Sequence, residues 1–136
     1  ITELARDVCD MRDRMRHVKD ESRDGRLDVK QMPGGLIDIE FLAQFVALAH
    51  GAERAELLLF TDAIRILETL ESAGMADYDD IKTLTDAYRR YRRIIHAQSL
   101  QRQRAMIVVD ELPDERERVM DIWQGWLSIH KNNFTT

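Results

Sequence analysis

Lys30-Gln-Met-Pro-Gly-Gly-Leu-Ile-Asp38-Ile-Glu40-Phe41 is the stretch whose residue types go beyond what folding asks for. Gly34 and Gly35 let the backbone pass close to another group, and a helix starting just after them offers N–H donors without intrahelical partners. That is the chemistry of an anion site, with Lys30 as the counter-charge. The other reading is a tight turn into a buried helix, with Asp38 merely complementing the helix dipole. On a helical wheel Asp38 lies inside the apolar arc of Phe41, Leu42 and Phe45, where a carboxylate needs a hydrogen-bonding partner. Glu40 points elsewhere, about 200° round the helix, so the two acids cannot clasp one metal from a regular helix. It shares its face with Gln44, and that pair can line a polar seam.

Other polar residues carry weaker signals. Arg89, Arg90, Arg92, Arg93, Arg102 and Arg104 form a basic cluster that either meets phosphate or an acidic partner or is a solvated helix face. No aromatic residues interleave with it on one face, which argues against nucleic acid. His17, His50, His96 and His130 are too scattered for a metal motif, and Cys9 reads as an inert thiol. Trp123 and Trp126 read first as core anchors. No Walker loop, nucleophile elbow or zinc-hydrolase helix is present, and Asp77-Tyr-Asp79 lacks the preceding Gly-Ser of a nucleotidyl-transfer metal site. No catalytic residue and no metal ligand is assigned within the chain.

The elements that must position the Lys30–Glu40 stretch are helical. Leu4, Val8, Met11, Met15 and Val18 form an i, i+3/i+4 stripe over about five turns that predicts a first helix. After a Ser/Asp/Gly-rich break comes a short β-like segment, Leu27 to Lys30. Leu36 to His50 is apolar on nearly every side and is expected to be the central helix, covered all round. Ala52 to Phe60 stays ambiguous. Thr61 or Asp62 is placed to cap a helix closed by Gly74, and Asp77 or Asp79 to start a long one carrying Ile81, Leu84, Tyr88, Tyr91 and Ile95. Met106 to Val109 reads as an extended link. Pro113 precedes a last helix with Val119, Ile122, Trp123 and Trp126 on its apolar face. The expected fold is all-α: a bundle of about five helices with a short non-helical Lys…Pro-Gly-Gly insertion before the buried central helix.

Composition bounds the rest. The 136 residues are 44% hydrophobic and 33% charged, too apolar for a disordered chain and too charged for a membrane protein. A net charge of −5 argues against a general nucleic-acid binder. Cys9 is the lone cysteine, which excludes an intramolecular disulfide and suits a reducing cytosol. Because the chain opens at Ile1 rather than Met, residues 1–136 are expected to be a single helical domain that is either a piece of something larger or a processed product.

The stretch Asp28-Val-Lys30 through Pro33-Gly-Gly35 to Asp38-Ile-Glu40-Phe41-Leu42-x-Gln44 resembles the glutamine synthetase adenylyltransferase family. Such enzymes are bifunctional and bacterial, attaching AMP to a tyrosine of glutamine synthetase and removing it by phosphorolysis. Each half looks like a polymerase-β-type nucleotidyltransferase domain followed by a helical domain with this signature; uridylyltransferases of the PII signalling protein carry a looser version. Met11 to Met15, Thr61 to Leu67 and Trp123-Gln-x-Trp126-Leu127 also look like the family's last domain. Ile37, where the deadenylylating half tends to have Arg, favours the adenylylating half. The resemblance implies that Lys30, Gly34, Gly35, Asp38 and Glu40 edge the nucleotide cleft, supporting nucleotide or substrate without holding metal. It also implies a cytoplasmic enzyme using ATP and Mg²⁺, whose ligands lie outside this chain, with glutamine synthetase, PII and its own nucleotidyltransferase domain as partners. The chain alone is then expected to be inactive, and Arg89, Arg90, Arg92 and Arg93 offer a partner surface. The alternative is a regulatory module that binds a PII-type protein or glutamine.

Overall fold

The helical spacing becomes five helices in a computed structural model that describes residues 2–19, 26–59, 62–100, 106–108 and 114–132. They are α1 (Thr2–Lys19), α2 (Leu36–His50), α3 (Ala63–Ser72), α4 (Tyr78–Leu100) and α5 (Asp114–Asn132). A single 3-10 turn, Ala55–Leu58, fills the segment that the sequence left ambiguous. The two β-like segments find each other: β1 (Arg26–Asp28) pairs antiparallel with β2 (Met106–Val108), with Leu27 opposite Ile107. Val29 and Lys30 already belong to the turn that follows. None of the helices, among the described residues, is long and apolar enough to cross a membrane.

Helix α2 packs against α1, α3, α4 and α5 and supplies the middle of the core. Ile39, Leu42 and Phe45 from α2 meet Ile66, Leu67 and Leu70 from α3, Leu84 and Tyr91 from α4, and Leu127 from α5. Each such side chain contributes about 1.5–3 kcal/mol by leaving water. The expectation that α2 is covered all round holds for most of its surface but not for Gln44 and Leu48, which are exposed. The sequence stops the flanking helices as their composition dictates. Asp62 caps α3, its Oδ1 accepting from the Ile64 amide at 2.9 Å. Gly74 closes that helix at φ +72°, with the Met75 amide reaching back to the Leu70 carbonyl and the Gly74 amide to that of Glu71. Asp77 accepts from the Ile81 amide at 3.0 Å and so opens α4. Pro113, expected to open α5, lies outside the described residues.

The most deeply buried face of α1 is not its apolar stripe. Only part of the stripe of Leu4, Val8, Met11, Met15 and Val18 meets the core: Leu4 and Val8 pack against it, while Met11 is 52% exposed and Val18 79%. The helix is turned by about one residue, roughly 100°, so that Ala5 and Arg12 face inward. The cause lies on α2, where a buried carboxylate needs a cation more than the core needs another methionine.

Candidate functional site

The loop between β1 and α2 is built from its own side chains and carbonyls. Asp28 Oδ1 accepts from the amides of Lys30 at 3.0 Å and Gln31 at 3.4 Å, an Asx turn. Its carbonyl accepts from the Met32 amide at 2.8 Å. The chain then reverses at Gly34, φ +75°, where only the absence of a side chain lets it lie against α5. A Cβ there would sit 2.6 Å from the Arg116 carbonyl oxygen. At Gly35 a Cβ would sit 2.5 Å from the Val29 oxygen. Both glycines are therefore required by close approach.

The N–H donors at the start of α2 are taken by this loop. Leu36 donates to the Val29 carbonyl at 3.0 Å, Ile37 to that of Lys30 at 3.1 Å, and Gly35 to that of Met32 at 2.9 Å. Gly34 donates to Asp38 Oδ2 at 2.7 Å. The helix start is thus closed to an anion through these amides, because the loop folds back on them. The groups that remain for a ligand are side chains, and Lys30 is exposed.

Asp38 is the centre of a buried cluster. Its Oδ1 accepts from Arg12 Nε at 2.5 Å and Arg16 Nη2 at 2.9 Å, and its Oδ2 lies 3.2 Å from the same Arg16 nitrogen. Arg12 has no solvent exposure at all. Its Nη1 donates to Gln31 Oε1 and its Nη2 to the Gln31 carbonyl, both at 3.0 Å. Arg16 Nε reaches that carbonyl at 3.2 Å, and its Nη1 reaches Asp13 at 3.3 Å. The Arg12 guanidinium also lies 5.8 Å from the centre of the Phe41 ring. From the other side, Arg116 Nε on α5 donates to the Pro33 carbonyl at 2.9 Å. Two helices therefore brace one loop through three arginines, with planar donor forks that a lysine could not match.

Glu40 leaves α2 in a different direction, as two-residue spacing on a helix requires. Its Oε1 accepts from the Tyr88 hydroxyl at 3.1 Å, and Arg92 lies over the Tyr88 ring at 5.8 Å. These residues line a groove of about 400 Å³ with Phe41, Gln44, Asp62 and Ala63. The expected polar seam of Glu40 and Gln44 is one wall of it. Burial pushes the Tyr88 phenol above its ordinary value; Glu40 adds to the shift and Arg92 opposes it. Tyr91, one helical turn on, is fully buried with its hydroxyl unpaired, and burial with the nearby Glu115 carboxylate raises it further still.

The structure thus brings Lys30, Gly34, Gly35 and Asp38 into one braced loop and places Glu40 in the neighbouring groove. Arg89, Arg90, Arg92 and Arg93 do not act together: Arg90 lies 3.5 Å from Glu115 on α5 and Arg89 3.7 Å from Glu68 on α3. Arg92 is held at the groove, while Arg93 is exposed. Arg102 and Arg104 lie outside the described residues. Among the described residues no group of three or more His, Cys, Asp or Glu side chains could hold a metal ion. Arg12, Arg16, Gln31 and Arg116 belong to the candidate site by their bonds to the loop and are not singled out by the sequence. The signal for the first two was an i, i+4 arginine pair beside the apolar stripe, together with the buried acid that demanded a cation.

Comparison with known proteins agrees with this signature. A family model described as GlnD PII-uridylyltransferase matches residues 3–124. Among curated relatives, the bifunctional glutamine synthetase adenylyltransferase/adenylyl-removing enzyme of Psychromonas ingrahamii is 38% identical over 91% of this chain and 13% of its own length. The enzymes of the same name from Pseudomonas syringae pv. tomato (46% identical over 71% of the chain and 10% of the relative) and Vibrio parahaemolyticus (37% over 92% and 13%) are also similar. The chain therefore spans 10–13% of the length of these relatives. With a match running from α1 through most of α5 and adenylyltransferases as its curated relatives, the chain belongs to the GlnD PII-uridylyltransferase family.

Proposed function

We propose that this chain is the helical lobe following the adenylylating nucleotidyltransferase unit of a glutamine synthetase adenylyltransferase, where it shapes the nucleotide cleft and helps dock the substrate. In that reaction a tyrosine hydroxyl of glutamine synthetase attacks the α-phosphorus of ATP, the bond to the bridging oxygen breaks, and pyrophosphate leaves. Catalysis of this kind is positioning plus charge stabilisation. Lys30 is suited to the second task, offsetting charge on the phosphates as it shifts toward the leaving group. Gly34, Gly35 and Asp38 hold the loop that carries it, and Glu40 lines the neighbouring groove. ATP and Mg²⁺ are held by residues outside this chain, and the enzyme works in the cytoplasm. Arg92 and Arg93 on α4 face an acidic partner, glutamine synthetase or a PII-type regulator.

The observation that supports this reading is the bracing of the loop. Arg12 and Arg16 from α1 and Arg116 from α5 all bond the segment between Gln31 and Asp38, while Lys30 stays exposed. A site that must hold its reacting groups within a fraction of an ångström needs such support behind it. The test is AMP transfer from ATP to glutamine synthetase by the intact enzyme. Lys30→Ala should lower kcat, and kcat/KM for ATP with it, about tenfold, the loss of one charge-assisted contact worth roughly 1.4 kcal/mol in the transition state, and leave folding unchanged. Residues 1–136 alone should transfer nothing. Unaltered kinetics in Lys30→Ala would reduce the loop to a chain reversal.

A further inference from the structure

We infer that Glu40 is the general base of the transfer: the tyrosine that accepts AMP lays its ring in the groove between α2, α3 and α4 and hands its hydroxyl proton to the Glu40 carboxylate. The inference rests on the reading that this chain is a lobe of a glutamine synthetase adenylyltransferase.

That reaction leaves one proton to be placed. The phenol oxygen bonds to the α-phosphorus of ATP, the bond from that phosphorus to the bridging oxygen breaks, and pyrophosphate leaves with the electron pair. The phenol proton goes to an acceptor within hydrogen-bond reach, and a positioned carboxylate is the group that takes a hydroxyl proton in phosphoryl transfer. Among the described carboxylates near the loop and the groove, Asp38 has given both oxygens to Arg12, Arg16 and the Gly34 amide. Glu115 Oε2 is buried away from solvent. Asp62 caps α3 through its Oδ1. Glu40 is tied through Oε1 to Tyr88, its Oε2 is bonded to nothing among the described residues, and the side chain lines the groove.

The way Glu40 is held fits the role, because a base works best when a third group orients it. Tyr88 is buried on α4, donates to Oε1 at 3.1 Å and carries Arg92 over its ring. Burial keeps that phenol protonated, so Tyr88 orients the carboxylate and is not itself the base. The same bond shows Glu40 accepting from a phenol hydroxyl, the group the substrate would bring. Beside it the groove of about 400 Å³ offers the Phe41 ring as an apolar wall and Gln44 as a second polar group, enough for one aromatic side chain. The Lys30 carbonyl accepts from the Ile37 amide at 3.1 Å, and Ile37 stands one turn before Glu40 on α2. The loop that carries the cation and the residue that takes the proton thus adjoin along one helix.

The test is AMP transfer to glutamine synthetase by the intact enzyme carrying Glu40→Gln, which keeps the shape and the bond from Tyr88 but cannot take a proton. Its kcat should fall about 100-fold or more, with the KM for ATP and the thermal midpoint unchanged. Between about pH 7 and 9 that kcat should climb about tenfold per unit, as phenolate forms without help, while the parent's rises far less. Glutamine synthetase whose acceptor is a fluorinated, more acidic tyrosine should win back at least about tenfold of the loss. A side chain that only shapes the groove would respond to neither pH nor phenol acidity. Tyr88→Phe, which loosens the carboxylate without removing it, should lower kcat about three- to tenfold, again less with the fluorinated acceptor; this variant decides the matter where Glu40→Gln does not fold. Parental kcat in Glu40→Gln, or a loss indifferent to pH and to fluorination, would overturn the inference and leave the lobe reading standing. So would a raised KM for glutamine synthetase at parental kcat, which would make the groove a docking surface alone. An unsubstituted enzyme that transfers no AMP would sink the lobe reading and the inference with it.

Discussion

Two carboxylates two residues apart on α2 live in opposite circumstances. Asp38 is buried, takes both of its oxygens into bonds with Arg12, Arg16 and the Gly34 amide, and has none left for a ligand. Glu40 is half-buried, accepts from Tyr88, and borders an open groove of about 400 Å³. The first arrangement fixes a shape, whereas the second leaves chemistry accessible. A single helix thus separates support from contact by the rotation that two residues impose. The difference also assigns a direction to the arginines. Arg12 and Arg16 of α1 and Arg116 of α5 are turned to the loop and hold it, and Arg92 and Arg93 of α4 are left for the outside.

The strongest way to break this contrast is to remove the cation from the buried side. Arg12→Met leaves Asp38 with Arg16 as its remaining arginine and strands the Gln31 side chain, and should cost about 3–5 kcal/mol in denaturant unfolding. Asp38→Leu should cost a similar amount by leaving the Arg12 guanidinium buried without its carboxylate. The double variant Arg12→Met/Asp38→Leu should recover a large part of that loss, because no unpaired charge remains apart from the half-open Arg16. Additive losses in the double variant would show that the two side chains do not act as a pair. Glu40→Gln, by contrast, should shift stability by less than about 1 kcal/mol, since its oxygen still accepts from Tyr88.

Two glycines share nearly the same backbone angle but not the same surroundings. Gly34 and Gly74 have φ of +75° and +72°. A Cβ at Gly74 meets nothing within 4 Å, while at Gly34 it meets the Arg116 carbonyl oxygen at 2.6 Å and Met120 Cγ at 2.9 Å. Gly74→Ala should therefore cost about 1 kcal/mol, the backbone penalty alone. Gly34→Ala should cost about 2–3 kcal/mol more, because α5 must retreat from the loop. Equal losses in thermal unfolding would mean that the loop and α5 are not in tight contact.

Much of this organisation was legible in the sequence. Periodicity located every helix, and local chemistry located their ends at Asp62, Gly74 and Asp77, because caps are decided within a few residues. The burial of Asp38 and the divergence of Glu40 followed from the helical wheel. What was not legible is long-range. Arg12 lies 26 positions from the acid it pairs with, and Arg116 lies 83 from Pro33. No local pattern announces such a pairing. The α1 stripe located the helix but not its buried face for the same reason: hydrophobic periodicity measures which face could be buried, while a distant carboxylate decided which face was. The amides after Gly-Gly were read as open for the same cause, since their partners, the carbonyls of Val29 and Lys30, come from the loop's own fold.

The smallest effects are expected at two tyrosines that sit one turn apart on α4. Tyr88 has a partner at the groove, whereas Tyr91 has a buried hydroxyl with none. Tyr88→Phe should cost about 0.5–1.5 kcal/mol, the net worth of one hydrogen bond. Tyr91→Phe should be neutral or stabilising by up to about 1 kcal/mol, because it removes a polar atom that was desolvated without return. Both phenols are raised by burial above their ordinary 10.0. A group raised on folding favours the native state while it stays protonated, so its contribution is intact below pH 10 or so and is lost as pH climbs toward the folded-state value. The unfolded chain would ionise first and draw the equilibrium toward itself. Alkaline unfolding should consequently begin later in Tyr91→Phe than in the parent, and the shift should exceed that in Tyr88→Phe, whose phenol is the less displaced. Identical alkaline midpoints in the three proteins would show that neither tyrosine is as isolated from water as its place on α4 implies.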